Sequence, residues 1–159
     1  MSTRRDARAR AMQALYARAL SGDEVEHVLR HLVLPPFEDD PDLRQFAERL
    51  FLRTIDHADE ADALIAKHAQ NWDIERIALV DRIVLRMAIT ELLTFPDVPP
   101  KVTINEAIEV AKAYSTPRSG TFVNGILDAV LADLQQSGRL KKSGRGLVGM
   151  QPFGSRATP

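Results

Sequence analysis

The chain has 159 residues, 45% apolar and 27% charged, the proportions of an ordinary single soluble domain. It has no cysteine, which excludes disulfides and thiolate chemistry, and no apolar run near the roughly 20 residues of a membrane helix. The net charge of −1 hides basic ends on an acidic body: residues 1–18 hold five arginines against Asp6, residues 139–159 hold five basic residues and no acid, and the middle is strongly acidic.

Charges at the N-terminus are followed by no apolar stretch of a secretory signal, so a cytoplasmic protein is expected. Thr3 predicts an N-cap, with Asp6 favouring the positive end of a helix that runs to about Leu20 and stops near Ser21-Gly22. Arg4, Arg8, Ala11 and Leu15 fall on one side of it, cationic first and apolar later. The simplest geometry lets Arg4, Arg5, Arg8 and Arg10 overhang the core into solvent, a row of guanidiniums able to pair with successive phosphates. A frayed, merely soluble helix end is the alternative.

A short second helix, Glu24 to Leu34, ends against Pro35-Pro36. A long third segment from Asp42 breaks near Asp56 to Glu60. Asp73 is expected to cap the most apolar helix, about Ile74 to Leu93, whose wide stripe of Ile77, Val80, Val84 and Met87 marks it as central. FPDVPPK breaks that helix, and Thr103 with Glu106 reads as a capping box opening the next. A last amphipathic helix carries Phe122, Val123, Ile126, Leu127, Val130 and Leu134.

From Ser137 the chain turns glycine-rich and basic, so 1–136 is expected to be the domain and 137–159 a mostly disordered tail. No segment alternates as a strand would. The fold class expected is all-α, a compact bundle of about seven helices.

Catalysis finds little support. There is no G-x-S-x-G turn, and GRGLVG lacks the strand and helix of a phosphate loop or dinucleotide fingerprint. His27 and His31 have a chelating spacing but no second ligand cluster, so they read as surface histidines. No metal or other cofactor is expected.

The stretch STPRSGTFVNGILD, residues 115–128, is more informative. Ser119-Gly120-Thr121 precedes a helix whose first N–H groups and dipole make a phosphate seat, with Arg118 and Lys101 available to add charge. Phe122 beside it fits base stacking, and its phase with Ile126 equally fits the core.

The run DVPPKVTINEAIEVAKAYSTPRSGTFVNGILD, with IERIALVDRIVLRMAITEL before it and RRDARARAMQALYA near the start, resembles the NusB family of bacterial transcription antitermination factors over most of residues 4–134. That resemblance implies two packed helical subdomains. It also implies binding to boxA-type single-stranded RNA together with NusE, a small-subunit ribosomal protein. The pair would join the RNA polymerase antitermination complex and support ribosomal RNA transcription. On these grounds Arg4, Arg5, Arg8, Arg10, Tyr16, Lys101, Arg118, Ser119 and Phe122 are expected to contact RNA. Glu75, Asp81 and Arg82, taken as the exposed polar side of the central helix, are expected to meet NusE. The arginines and the stretch ahead of the last helix should then form one continuous cationic groove. A homodimer is conceivable. The competing readings are a purely protein-binding scaffold and the NusB-like domain fused to ribosomal RNA methyltransferases, the latter discounted because no methyltransferase domain follows.

Overall fold

A computed structural model describes residues 1–69 and 74–150. They form seven α-helices: α1 (Arg4–Ser21), α2 (Val25–Val28), α3 (Pro41–Asp56), α4 (Ala58–His68), α5 (Leu79–Thr94), α6 (Pro100–Tyr114) and α7 (Ser119–Gln136). No strand occurs among the described residues. The all-helical fold read from the pattern is the fold observed.

α1, α2 and α3 pack together as one half, and α4, α6 and α7 form the other. α5 touches α1, α3, α4, α6 and α7, so it joins the two. Its centrality follows from composition. Ten of its sixteen residues are buried, and Leu85, Ile89 and Leu92 are fully so. Truncating any one of these to Ala is expected to cost about 2–5 kcal/mol.

Several local readings hold. Thr3 and Asp6 form a reciprocal capping box at the start of α1. The predicted break after Asp56 is a single residue, His57, between α3 and α4. α2 continues into one π-helical turn, Leu29–Val33, closed by Leu34 N–H to the Leu29 carbonyl, before Pro35-Pro36 ends it.

Other readings need correction. The central helix does not start at Ile74: Ile74–Arg76 is a separate 3₁₀ turn, and Ala78 is extended ahead of Leu79. Asp73, expected as its cap, lies outside the described residues. Thr103 does not open α6, which begins three residues earlier at Pro100, where a proline's missing N–H costs nothing. Thr103 and Glu106 both point to distant partners.

The expectation of disorder from Ser137 also fails over residues 138–150. This segment folds back along the end of α5. Leu140 packs on the core, and the Ser143 amide donates to the Pro96 carbonyl at 2.9 Å. Lys142 Nζ donates to the carbonyls of Phe95 (2.8 Å) and Glu91 (3.1 Å), while Arg53 donates to that of Thr94 (2.8 Å). Two basic side chains thus satisfy carbonyls that a helix end leaves without partners. Composition suggested disorder because glycine is flexible, but Gly146 is needed for contact: a Cβ there would lie 1.8 Å from the Pro96 carbonyl oxygen.

Candidate nucleic-acid interface

At the start of α1 the capping box fixes the helix end, since the Asp6 carboxylate accepts from the Thr3 amide at 2.7 Å. Asp6, an acid within an arginine run, is therefore occupied locally. The arginines behind it differ sharply from one another.

Arg4 is exposed, lies over the Phe46 ring at 4.3 Å and approaches Asp97 only to 4.0 Å. Arg5 is exposed but clamped: its Nε and Nη2 donate to the two oxygens of Glu106 at 2.9 and 2.8 Å. The hydrogen bond from Arg5 holds the Glu106 carboxyl below its ordinary value.

Arg8 does not reach solvent. It is 4% exposed and donates through Nε and Nη2 to Glu91, each at 2.8 Å. Thr103 Oγ1 donates to Glu91 at 3.1 Å, and Glu106 lies 3.9 Å from Arg8. Burial pulls the Arg8 pKa down, and the hydrogen bond and charge of Glu91, with that of Glu106, more than reverse it. The expectation that Arg8 overhangs the core fails because a glutamate buried within α5 requires a cation. Arg10 is half-buried and makes no ion pair with the described residues, and Tyr16 is exposed farther along α1.

Between the start of α1, the connector 96–99 and the start of α6 runs an open groove of about 690 Å³. Arg4, Arg5, Arg8 and Arg145 supply its cations, Asp97 and Glu106 its acids, and Val98, Pro99, Val102 and Val148 its apolar lining. Lys101 is exposed in the first turn of α6, between the lining residues Pro99 and Val102 in sequence, and has no carboxylate partner among the described residues. Arg145 was not foreseen as a site residue, because its role comes from the folded-back segment. Glu91 carried a legible signal, a carboxylate near the end of the most apolar helix.

The start of α7 is a different place. Ser119 is not a loop residue ahead of the helix but its first residue, 3% exposed, with Oγ 3.0 Å from Asp81 Oδ2 and 3.0 Å from Ser115 Oγ. Its hydroxyl serves an internal cluster rather than an open phosphate seat. Gly120 lets α6 and α7 approach closely, since a Cβ there would meet Lys112 Cγ at 3.0 Å and Ile108 Cγ2 at 3.3 Å. Phe122 is half-buried against the core, and Arg118 is exposed.

The single continuous groove expected is therefore not formed, and Arg118, Ser119 and Phe122 do not line it. The two places are tied to different ends of α5. Asp81 holds Ser119 and Glu91 holds Arg8, ten residues apart, or about 15 Å of helical rise.

The surface expected to meet a partner also changes. Asp81 is only 7% exposed and Arg82 is half-buried, so neither belongs to an exposed polar side of α5. Glu75 is exposed, on the 3₁₀ turn before α5. The His27 and His31 rings lie with centroids 4.4 Å apart at a 50° tilt, and no group of three or more potential metal ligands occurs among the described residues. No helix among them is long and apolar enough to cross a membrane.

A family model described as the NusB family matches residues 5–132. The chain belongs to the NusB family. The transcription antitermination protein NusB of Salinibacter ruber is 57% identical over 157 residues, covering 99% of this chain and 98% of that relative. Among solved structures, NusB of T. maritima superposes with a TM-score of 0.76 at 35% identity, over 83% of this chain and 92% of that one. A chain from the crystal structure of antitermination factors NusB and NusE in complex with dsRNA gives 0.70 at 27% identity, covering 82% and 96%. The NusB match spans α1 to α7 almost entirely and stops before the folded-back segment that carries Arg145.

Proposed function

We propose that this NusB-family chain is a non-catalytic transcription antitermination factor that binds boxA-type single-stranded RNA together with NusE. In this reading it joins the RNA polymerase antitermination complex in the cytoplasm and supports ribosomal RNA transcription. The observation that carries the reading is the cationic groove at the start of α1, on a fold shared with a NusB crystallised with NusE and RNA.

Arg4 and Lys101 bind phosphates directly, since neither is held closely by a carboxylate. Arg5 contacts phosphate by exchanging Glu106 for it, and Arg8 positions α1 from below. Arg10 and Tyr16 extend the contact along α1. Arg118 and Phe122 make a second contact near the start of α7, with Phe122, half-buried against the core, stacking on a base. The basic ribosomal protein NusE meets the acidic body near Glu75 and Arg82, an electrostatic match that favours encounter.

Titration of boxA-type single-stranded RNA, with and without NusE, tests this. The expected result is binding strengthened by NusE and weakened by Arg4→Ala and Lys101→Ala. A purely protein-binding scaffold is the second reading, favoured by the internal pairing of Arg5 and Arg8. It predicts NusE binding with no response to RNA. Double-stranded RNA in a parallel titration shows whether the groove prefers an unpaired strand.

A further inference from the structure

The C-terminal segment that folds back over α5 brings to the groove what α1 alone does not supply. Without it, the rim has three guanidiniums against Asp97 and Glu106, and Glu91 beneath neutralises Arg8. A polyanion needs uncommitted cations. Arg145 is one: it is exposed, lines the groove and makes no ion pair with the described residues.

Its position is built. Arg139 pairs with Glu60, Lys142 is hydrogen-bonded to the end of α5, the Ser143 amide holds the Pro96 carbonyl, and Gly146 sits flush against that same carbonyl. Arg145 lies between the last two of these fastenings, so its backbone is pinned while its side chain is left to the groove. Val148 follows and widens the apolar lining made by Val98 and Val102. A cationic rim over an apolar lining suits a nucleotide strand, which presents phosphate on one side and sugar and base on the other.

We propose that residues 139–148 form a strap that completes the RNA groove, with Arg145 binding a phosphodiester of the strand. The inference rests on the RNA-binding reading above and adds a contact to it.

The experiment uses the full chain with NusE and a fluorescent boxA-type single-stranded RNA, titrated across a range of salt. Arg145→Ala is expected to weaken binding roughly three- to tenfold and to reduce the log–log salt slope by about 0.7. Gly146→Val, which lifts the strap from Pro96, should weaken binding to a similar extent, and the double variant no further. Circular dichroism confirms that the helices persist, and Arg145→Ala touches none of the fastenings.

If Arg4→Ala weakens binding while Arg145→Ala changes neither affinity nor slope, the strap proposal falls and the groove stands. Tighter binding by Gly146→Val would make the strap a cover and also overturn the proposal. If neither Arg4→Ala nor Arg145→Ala alters binding, the groove reading itself fails.

Discussion

Glu91 is 2% exposed in the last turn of an apolar helix, and both its carboxylate oxygens are bonded: Oε2 by Arg8, Oε1 by Arg8 and Thr103. Removing one member of such a pair strands the other charge in a medium that solvates it poorly. Glu91→Ala is therefore expected to cost about 3–5 kcal/mol, read as a lower denaturant midpoint at unchanged slope. Replacing both partners by apolar residues of similar volume should cost much less, because no charge remains buried. Phe122→Ala is a milder change. The ring is only half-buried, so the fold should survive with a loss of roughly 1–2 kcal/mol, below the 3–5 of a fully buried phenylalanine. In RNA titrations this variant should bind less tightly, and global unfolding would instead assign Phe122 to the core alone.

At the scale of elements, the local signals were legible and the distant partners were not. Proline pairs, the Thr3 cap with Asp6 in the first turn and the apolar stripe of α5 act within a few residues, and each is visible in one short stretch. Thr103 and Glu106 satisfy the same local pattern as a capping box. Thr103 instead reaches Glu91 on α5, and Glu106 reaches Arg5, 101 residues away. Nothing in a four-residue motif distinguishes these outcomes. The strap was missed for a related reason, because glycine signals flexibility in composition and close approach in structure, and only the Pro96 carbonyl decides between them.

Lys142 offers a direct probe of the strap. Burial lowers its pKa from 10.5 to about 8, against the opposing pull of Glu91 and Asp97. Between those two values the docked strap holds a neutral amine where a free strap would hold a charged one. Docking therefore tightens as pH rises through this window and is weaker below it. Carbon NMR of the lysine side chain should show a midpoint near 8 in the full chain and a return towards 10.5 in Gly146→Val.

For the whole molecule, the measurable quantity is how many cations remain for a ligand. Within the groove region Arg4, Lys101 and Arg145 lack a close carboxylate among the described residues, so their three phosphate contacts contribute roughly −2 to the log–log salt slope on single-stranded RNA. If Arg5 and Arg8 also released Glu106 and Glu91, five contacts would bring it to about −3.5. Anisotropy titrations across salt separate the two cases. The stacked arrangement of Arg4 on Phe46, and of Phe46 edge-on to Phe95, has a consequence for how the protein can diverge. Arg8, Glu91, Phe46 and Phe95 are bound into the interior, so no change among them adjusts affinity without disturbing the fold. Arg4, Lys101 and Arg145 stand outside it. On the proposed RNA-binding reading, substitutions at these three surface positions are expected to change affinity and leave the fold intact.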